Sequence, residues 1–223
     1  MANTEKNYTL WGWLSFPTLT AAEAYALSQK GTYPSADVAS SAPHFQLLLS
    51  DAQWDAFEKH VVTQFLPYCE AQHAKGEKKD ALDKKEVAAL IEAFTGEPGS
   101  SPYNTPVKVI NEKTAALRPD AVRAIKVAGG KGSDFEIKAI VNDDTELSVP
   151  DPDILDFPKV LPINRTTHKL YAGCRVAVTI NLYAYHNGKL AGFSAGANTL
   201  VFKADDTKFG GGVDVDEDAI FMD

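Results

Sequence analysis

The sequence predicts a mainly β protein interrupted by inserted helices, and three stretches carry that prediction. Leu170 to Tyr185 alternates strictly, with Cys174, Val176, Val178, Ile180 and Leu182 on one face and Tyr171, Arg175, Thr179, Asn181, Tyr183 and Tyr185 on the other. Asn187-Gly188 then offers a type I′ hairpin turn. Tyr8 to Phe16 alternates in the same way. Between the two, apolar residues from Trp54 to Cys69 recur at three- and four-residue spacing, the period of a helix.

Taken in order, the first strand sets Tyr8, Leu10, Leu14 and Phe16 toward a core and Trp11 with Trp13 on the opposite face, and Pro17 is expected to end it. Two tryptophans on that face are either packed under the helices or used for binding. A short helix around Ala21 to Ser28 falls in a stretch, 18–43, whose Gly31, Pro34 and Pro43 favour loop. His44 to Leu49 is a compact apolar strand. Ser50 or Asp51 can cap a helix running to about His73, with Pro67 predicting a kink or break near Phe65. A second helix from about Leu82 to Phe94 is closed by Gly96 and Pro98, so the insertion at about 51–95 is expected to plug the end of a sheet or barrel. Residues 98–131 read as loop-rich and basic. Asp134 to Val141 reads as a strand with Glu136 and Lys138 outward, and 149–163, with four prolines, as an extended connector. The return arm of the hairpin covers Lys189 to Lys203. A two-residue turn at Asn187-Gly188 sets Tyr183 against Gly192, Asn181 against Ser194 and Thr179 against Gly196, with Leu182 against Phe193 on the core side. This makes a shallow trough floored by backbone and walled by rings.

Charge is distributed unevenly. The chain holds 30 acidic and 22 basic residues for a formal −8, but Val213 to Asp223 supplies five negative charges and no positive ones, so residues 1–212 carry −3. Between Pro106 and Lys138 seven basic residues face four acidic ones, either a solvated face or the wall of a groove. Cys69 and Cys174 lie far apart without further ligands at zinc spacing, which predicts reduced, buried thiols and no metal. No membrane-spanning run or signal peptide is visible, and no cofactor is implied. Gly129-Gly130-Lys131-Gly132 lacks the ending and the preceding strand of a phosphate loop and reads as a turn.

Rings on a sheet face with nearby cations are what single-stranded nucleic acid requires, because every base has a π-face and each stack is worth about 1–3 kcal/mol. The candidate binding residues are Tyr171, Arg175, Tyr183 and Tyr185 on the hairpin, Trp11 and Trp13 on the first strand, Lys138, and Lys169 at the hairpin's entry. Exposed Tyr and Thr are favoured in strands for other reasons as well. The end of the chain, from Gly210-Gly211-Gly212 onward, is expected to be a flexible arm that imitates a polyanion through Asp214, Asp216, Glu217, Asp218 and Asp223. It also carries Phe221 in an apolar tip suited to a partner.

Tyr171-Ala-Gly-Cys-Arg-Val, the strand ending Leu182-Tyr-Ala-Tyr185, the Asn187-Gly188 turn, Gly192-Phe193, Lys208-Phe-Gly-Gly-Gly and the acidic, aromatic-tipped tail resemble the phage single-stranded-DNA-binding proteins. Leu14-Ser-Phe-Pro17 and Phe45-Gln-Leu-Leu-Leu49 are similar to that family's first two strands. The resemblance implies an OB-fold, a five-stranded barrel spanning residues 1–209 with the helical insertion at its side, followed by an acidic tail, 210–223. It implies a tail that shields the DNA groove and docks on replication proteins such as polymerase and helicase or primase, in the cytoplasm of an infected bacterial host. The function expected is coating of single-stranded DNA with little sequence preference, with duplex binding once the tail is displaced. A strand-annealing recombination mediator would use the same groove. An enzyme is the rival class, but the Asp214-Val-Asp216-Glu-Asp218 run lacks the glycine and closing Glu of a calcium loop, and the five histidines show no triad spacing.

Overall fold

The computed structural model describes residues 4–140, 160–162, 170–188 and 190–209. The expected connector at 149–163 therefore lies almost wholly outside the described residues. Strand β1 (Asn7–Thr18) leads through helix α1 (Ala21–Ser28) to β2 (His44–Ser50). Thr20 and Glu23 form a reciprocal capping box that starts α1 despite its loop-like surroundings. The insertion is α2 (Asp51–His60), a π-helical turn (Val61–Phe65), α3 (Leu66–Ala74) and α4 (Lys84–Thr95). Pro67 follows the π turn in a helix that runs on from α2, and the π turn takes up the irregularity expected where a proline N–H is missing. Trp54, Phe57, Phe65 and Phe94 from these helices share one core with Leu10, Phe45, Ile125, Val178 and Phe193 of the sheet.

Four expectations need correction. Phe16 is not a core residue: it has φ +46 and is 55% exposed in a bulge that lets β1 continue past Pro17 to Thr18. The loop-rich reading of 98–131 missed three elements, β3 (Val107–Lys108), α5 (Glu112–Leu117) and β4 (Ala121–Ala128). The hairpin β7 (Arg175–Asn187) and β8 (Leu190–Gly196) pairs Asn187 with Leu190, so the turn falls one residue later and the register shifts by two. Gly188 supplies its positive φ of 64. The shift is even, so every residue keeps its face: Asn181 now meets Gly196, Tyr183 meets Ser194 and Tyr185 meets Gly192. Finally, the return arm breaks after Gly196 and resumes as β9 (Thr199–Ala204), which pairs with the beginning of β7 and, in parallel, with β5 (Glu136–Ile140). A short β6 (Val160–Pro162) lies on the far side of β5.

The pairings form a circuit. β1 pairs with β2, β2 with β4, β4 in parallel with β8, β8 with β7, and β7 with β1 again. Where β1 runs out, the β7 edge is completed differently: Leu182 donates its N–H to the Lys6 carbonyl and Ala184 donates to the Asp80 carboxylate, which also takes the Lys6 ammonium at 2.6 Å. Asp80 thereby ties the helical insertion to the tip of the hairpin. Asp80→Ala is expected to cost about 2 kcal/mol, since it strands an edge N–H and a lysine; an unchanged urea midpoint would show that the tip is anchored elsewhere.

Candidate nucleic-acid interface

Direct cross-strand partners share a face, so the outer surface can be read as lateral rows. One row runs Asn7, Asn181, Gly196, Ala128, His44 across β1, β7, β8, β4 and β2. Another runs Trp11, Ala177, Val201, Lys138 across β1, β7, β9 and β5. Between them lies a groove of about 690 Å³. Its floor carries Asn7, whose side-chain carbonyl accepts from the Asn181 amide at 2.7 Å, and Thr9, whose hydroxyl is 3.0 Å from that of Thr179. Its walls are Tyr183, the Ala128-Gly129-Gly130 turn, the 196–199 bend, Val201 and Lys138.

The two tyrosines lie against glycines of β8. A β-carbon on Gly192 would stand only 3.0 Å from the Tyr185 ring, so the missing side chain there is what lets that ring lie close; one on Gly196 would reach the Tyr183 ring at 3.4 Å, an ordinary contact. The two rings are 6.3 Å apart and tilted by 42°, with Tyr183 37% exposed. Among the described residues Lys138 is the cation lining the groove, and it shares charge with Glu136 at 3.3 Å.

The other expected residues lie elsewhere on the same face. Trp13 is 7% exposed and belongs to a second apolar cluster with Leu48, Ala124 and Phe209, so its indole offers no open stacking face. Its Nε1–H donates to Asp206 at 3.0 Å, and the Arg118 and Arg175 guanidiniums lie over the ring at 5.0 and 5.7 Å. Arg175 bonds Asp206 at 2.7 Å, Arg118 bonds its other oxygen, and the Tyr171 hydroxyl donates to Asp205 at 2.9 Å. Trp13, Tyr171 and Arg175 therefore clamp the segment 205–209 across the sheet. Trp11 is half-buried with the Lys203 ammonium against its ring, between clamp and groove. Lys169 and the tail residues Asp214, Asp216, Glu217, Asp218, Phe221 and Asp223 lie outside the described residues.

Of the groove residues, Asn7, Thr9, Asn198, Thr199 and the 128–130 turn were not picked out from the sequence. Outward parity on β1 was the available signal for the first two. Cys69 and Cys174 are buried free thiols, and burial is the main reason that they are pushed up to about 12 and about 11. Among the described residues no group of three His, Cys, Asp or Glu side chains is placed to hold a metal, and no helix is long and apolar enough to cross a membrane.

Fold and groove together define a class: a mainly β protein with a few helices, similar in architecture to phage single-stranded-DNA-binding proteins. The single-stranded DNA-binding protein from bacteriophage Enc34 matches with a TM-score of 0.50 at 13% identity over 96% of this chain and 90% of that one. Its C-terminal truncation matches at 0.50 and 13% over 92% and 88%, and its complex with ssDNA at 0.50 and 13% over 92% and 90%. At that identity the likeness is one of fold. No family model matches the chain, and no curated protein matches its sequence.

Burial by itself would raise the Asp206 carboxyl, but the Thr207 N–H, Arg175, Arg118 and Trp13 outweigh it and hold the group well below the usual carboxylate range. A carboxylate lowered by folding stabilises the native state above its unfolded value, near pH 4, and that contribution is lost as pH falls further toward the folded value. Asp206→Asn should cost about 2 kcal/mol at neutral pH. Its melting temperature should converge on that of the wild type between about pH 4 and pH 2; parallel pH curves would mean that the clamp stores no charge-dependent stability.

Proposed function

We propose that the chain binds single-stranded DNA in the Tyr183 groove, bases toward the tyrosines and the Asn–Thr floor, with little dependence on sequence. The observation that carries this reading is the exposed Tyr183 ring on the wall of an open groove floored by Asn7 and Thr9, with the Tyr185 ring beside it at 6.3 Å. The fold shared with the bacteriophage Enc34 single-stranded DNA-binding protein, whose structure has been determined in complex with ssDNA, points the same way. The circuit β1-β2-β4-β8-β7-β1, with its parallel β4–β8 contact, supports reading residues 1–209 as an OB-fold barrel with a helical insertion. Enzymatic activity is not part of this proposal.

The acidic tail, 210–223, is proposed as a competitor for the groove and as the recruiting element for replication proteins. Phe209 is clamped beside Trp13, the partner of Arg175, and Tyr183 is eight residues along β7, about 26 Å away at roughly 3.3 Å per residue. Fourteen further residues extend up to about 46 Å. The span therefore allows competition within one molecule, and it explains how a chain of formal charge −8 could bind a polyanion.

Tyr183→Ala and Tyr185→Ala are each expected to weaken binding of an oligothymidine by about 5- to 150-fold, the range of one lost stack, with melting temperature little changed. Fluorescence anisotropy tests this, and wild-type affinity in both variants would remove the groove. Deleting Val213 to Asp223 should tighten binding at low salt and make no difference at high salt; equal affinity at low salt would rule out competition by the tail.

A further inference from the structure

The groove does not end at Ala128. On β4 the outward positions continue from Ala128 to Lys126, and the lateral row through the groove floor continues from Ala128 to His44 on β2. Lys126 lies opposite Gln46, one step from His44 on the same face, while the inward neighbours Ile125 and Val127 are fully buried. β3 adds Lys108 to this face, because Lys108 pairs with Ala124 and thus sits diagonal to Lys126. Both lysines are exposed, and neither ammonium has an acidic partner among the described residues. By contrast, Arg118 at the end of α5 and Arg175 on β7 are committed to Asp206. The like charges feel each other. Loss of hydration and then the Lys108 ammonium hold Lys126 below the usual lysine range, and burial and then Lys126 do the same to His44.

Two lysines and an imidazole adjacent on one sheet face repel one another when charged, and an anion bound between them would relieve that repulsion. The face is contiguous with the groove, at about 10 Å from Gly196 to His44 for two strand spacings of roughly 4.8 Å. The groove lining itself supplies Lys138 as its cation among the described residues. We propose that Lys108, Lys126 and His44 form a phosphodiester lane that takes the sugar–phosphate backbone of single-stranded DNA as it leaves the groove past Ala128. This deepens the proposed function and rests on it. The site then has two chemically distinct halves: a base-contacting groove of low charge and a cationic lane that engages only strands long enough to reach it.

The test uses the full chain, wild type against the double variant Lys108→Ala/Lys126→Ala, with oligothymidines of about 4 and about 12 nucleotides, site lengths within the range of one such fold. Affinities are measured over a salt series. Two single-strand phosphate contacts contribute a slope in log K against log salt of about −1.4. The double variant should flatten the slope for the long oligomer by that amount and leave the short oligomer unaffected, and Lys108→Arg/Lys126→Arg should restore the slope. An unchanged slope for the long oligomer in the double variant overturns the lane. If the slope flattens while Tyr183→Ala binds as wild type, the lane stands and the groove reading fails, so the two ideas fail separately.

Discussion

Strand β7 is hydrogen-bonded along both edges, and this double pairing governs everything the outer surface can do. One edge is held by β1 from Arg175 to Asn181 and then by Lys6 and Asp80; the other is held by β9 and then β8. A strand confined on both sides cannot slide, so its alternation becomes a permanent division between Val176, Val178, Ile180 and Leu182 inside and Arg175, Thr179, Asn181 and Tyr183 outside. Each outward residue then recruits its lateral neighbours. Asn181 finds Asn7, Thr179 finds Thr9, and Arg175 finds Trp13.

The outer face is consequently two surfaces on one sheet. At the Arg175 end, Trp13, Leu48 and Ala124 make an apolar strip too large to leave in water, and Phe209 covers it. Asp206 locks that cover by satisfying Trp13, Arg118 and Arg175 together, so cations that could face a ligand are consumed in holding the segment down. At the Tyr183 end the described residues form no such apolar strip. Glycines replace side chains on β8, the floor is polar, and the tyrosines stay half-open. The cost of sealing one end is a groove in which, among the described residues, Lys138 is the lining cation and shares its charge with Glu136.

How much of this was legible varied with the local rule involved. The alternation in β7 and most of β1, the helical periods of the insertion and an irregularity before Pro67 were written locally, and the structure follows them; the cap expected of Ser50 or Asp51 forms no side-chain hydrogen bond, and the irregularity is a π turn rather than a break. The central strand β4 was not legible. Arg123 occupies an inward register opposite Leu49 and lays its guanidinium over Trp54 at 5.5 Å, so a charge stands where the pattern calls for an apolar residue. The hairpin register erred by two because turn placement depends on which residue takes the positive φ, and Gly188, not Asn187, does so. Phe16 was misplaced because a bulge breaks the period of two.

The sequence by itself established a mainly β chain with a helical insertion, the outward tyrosines and an acidic end, since each follows from the period of side chains along one segment or from a count of charges. Which outward residues meet was beyond its reach. Tyr171, Arg175 and Trp13 stood in one candidate set with Tyr183 and Lys138, yet the fold sends the first three to the Asp205-Asp206 segment and brings the last two to one groove with Asn7 and Gly130. The reason is physical: face is a property of a strand, whereas neighbourhood across strands is set by register and by long-range contacts, such as those of Asp206, that no local pattern encodes.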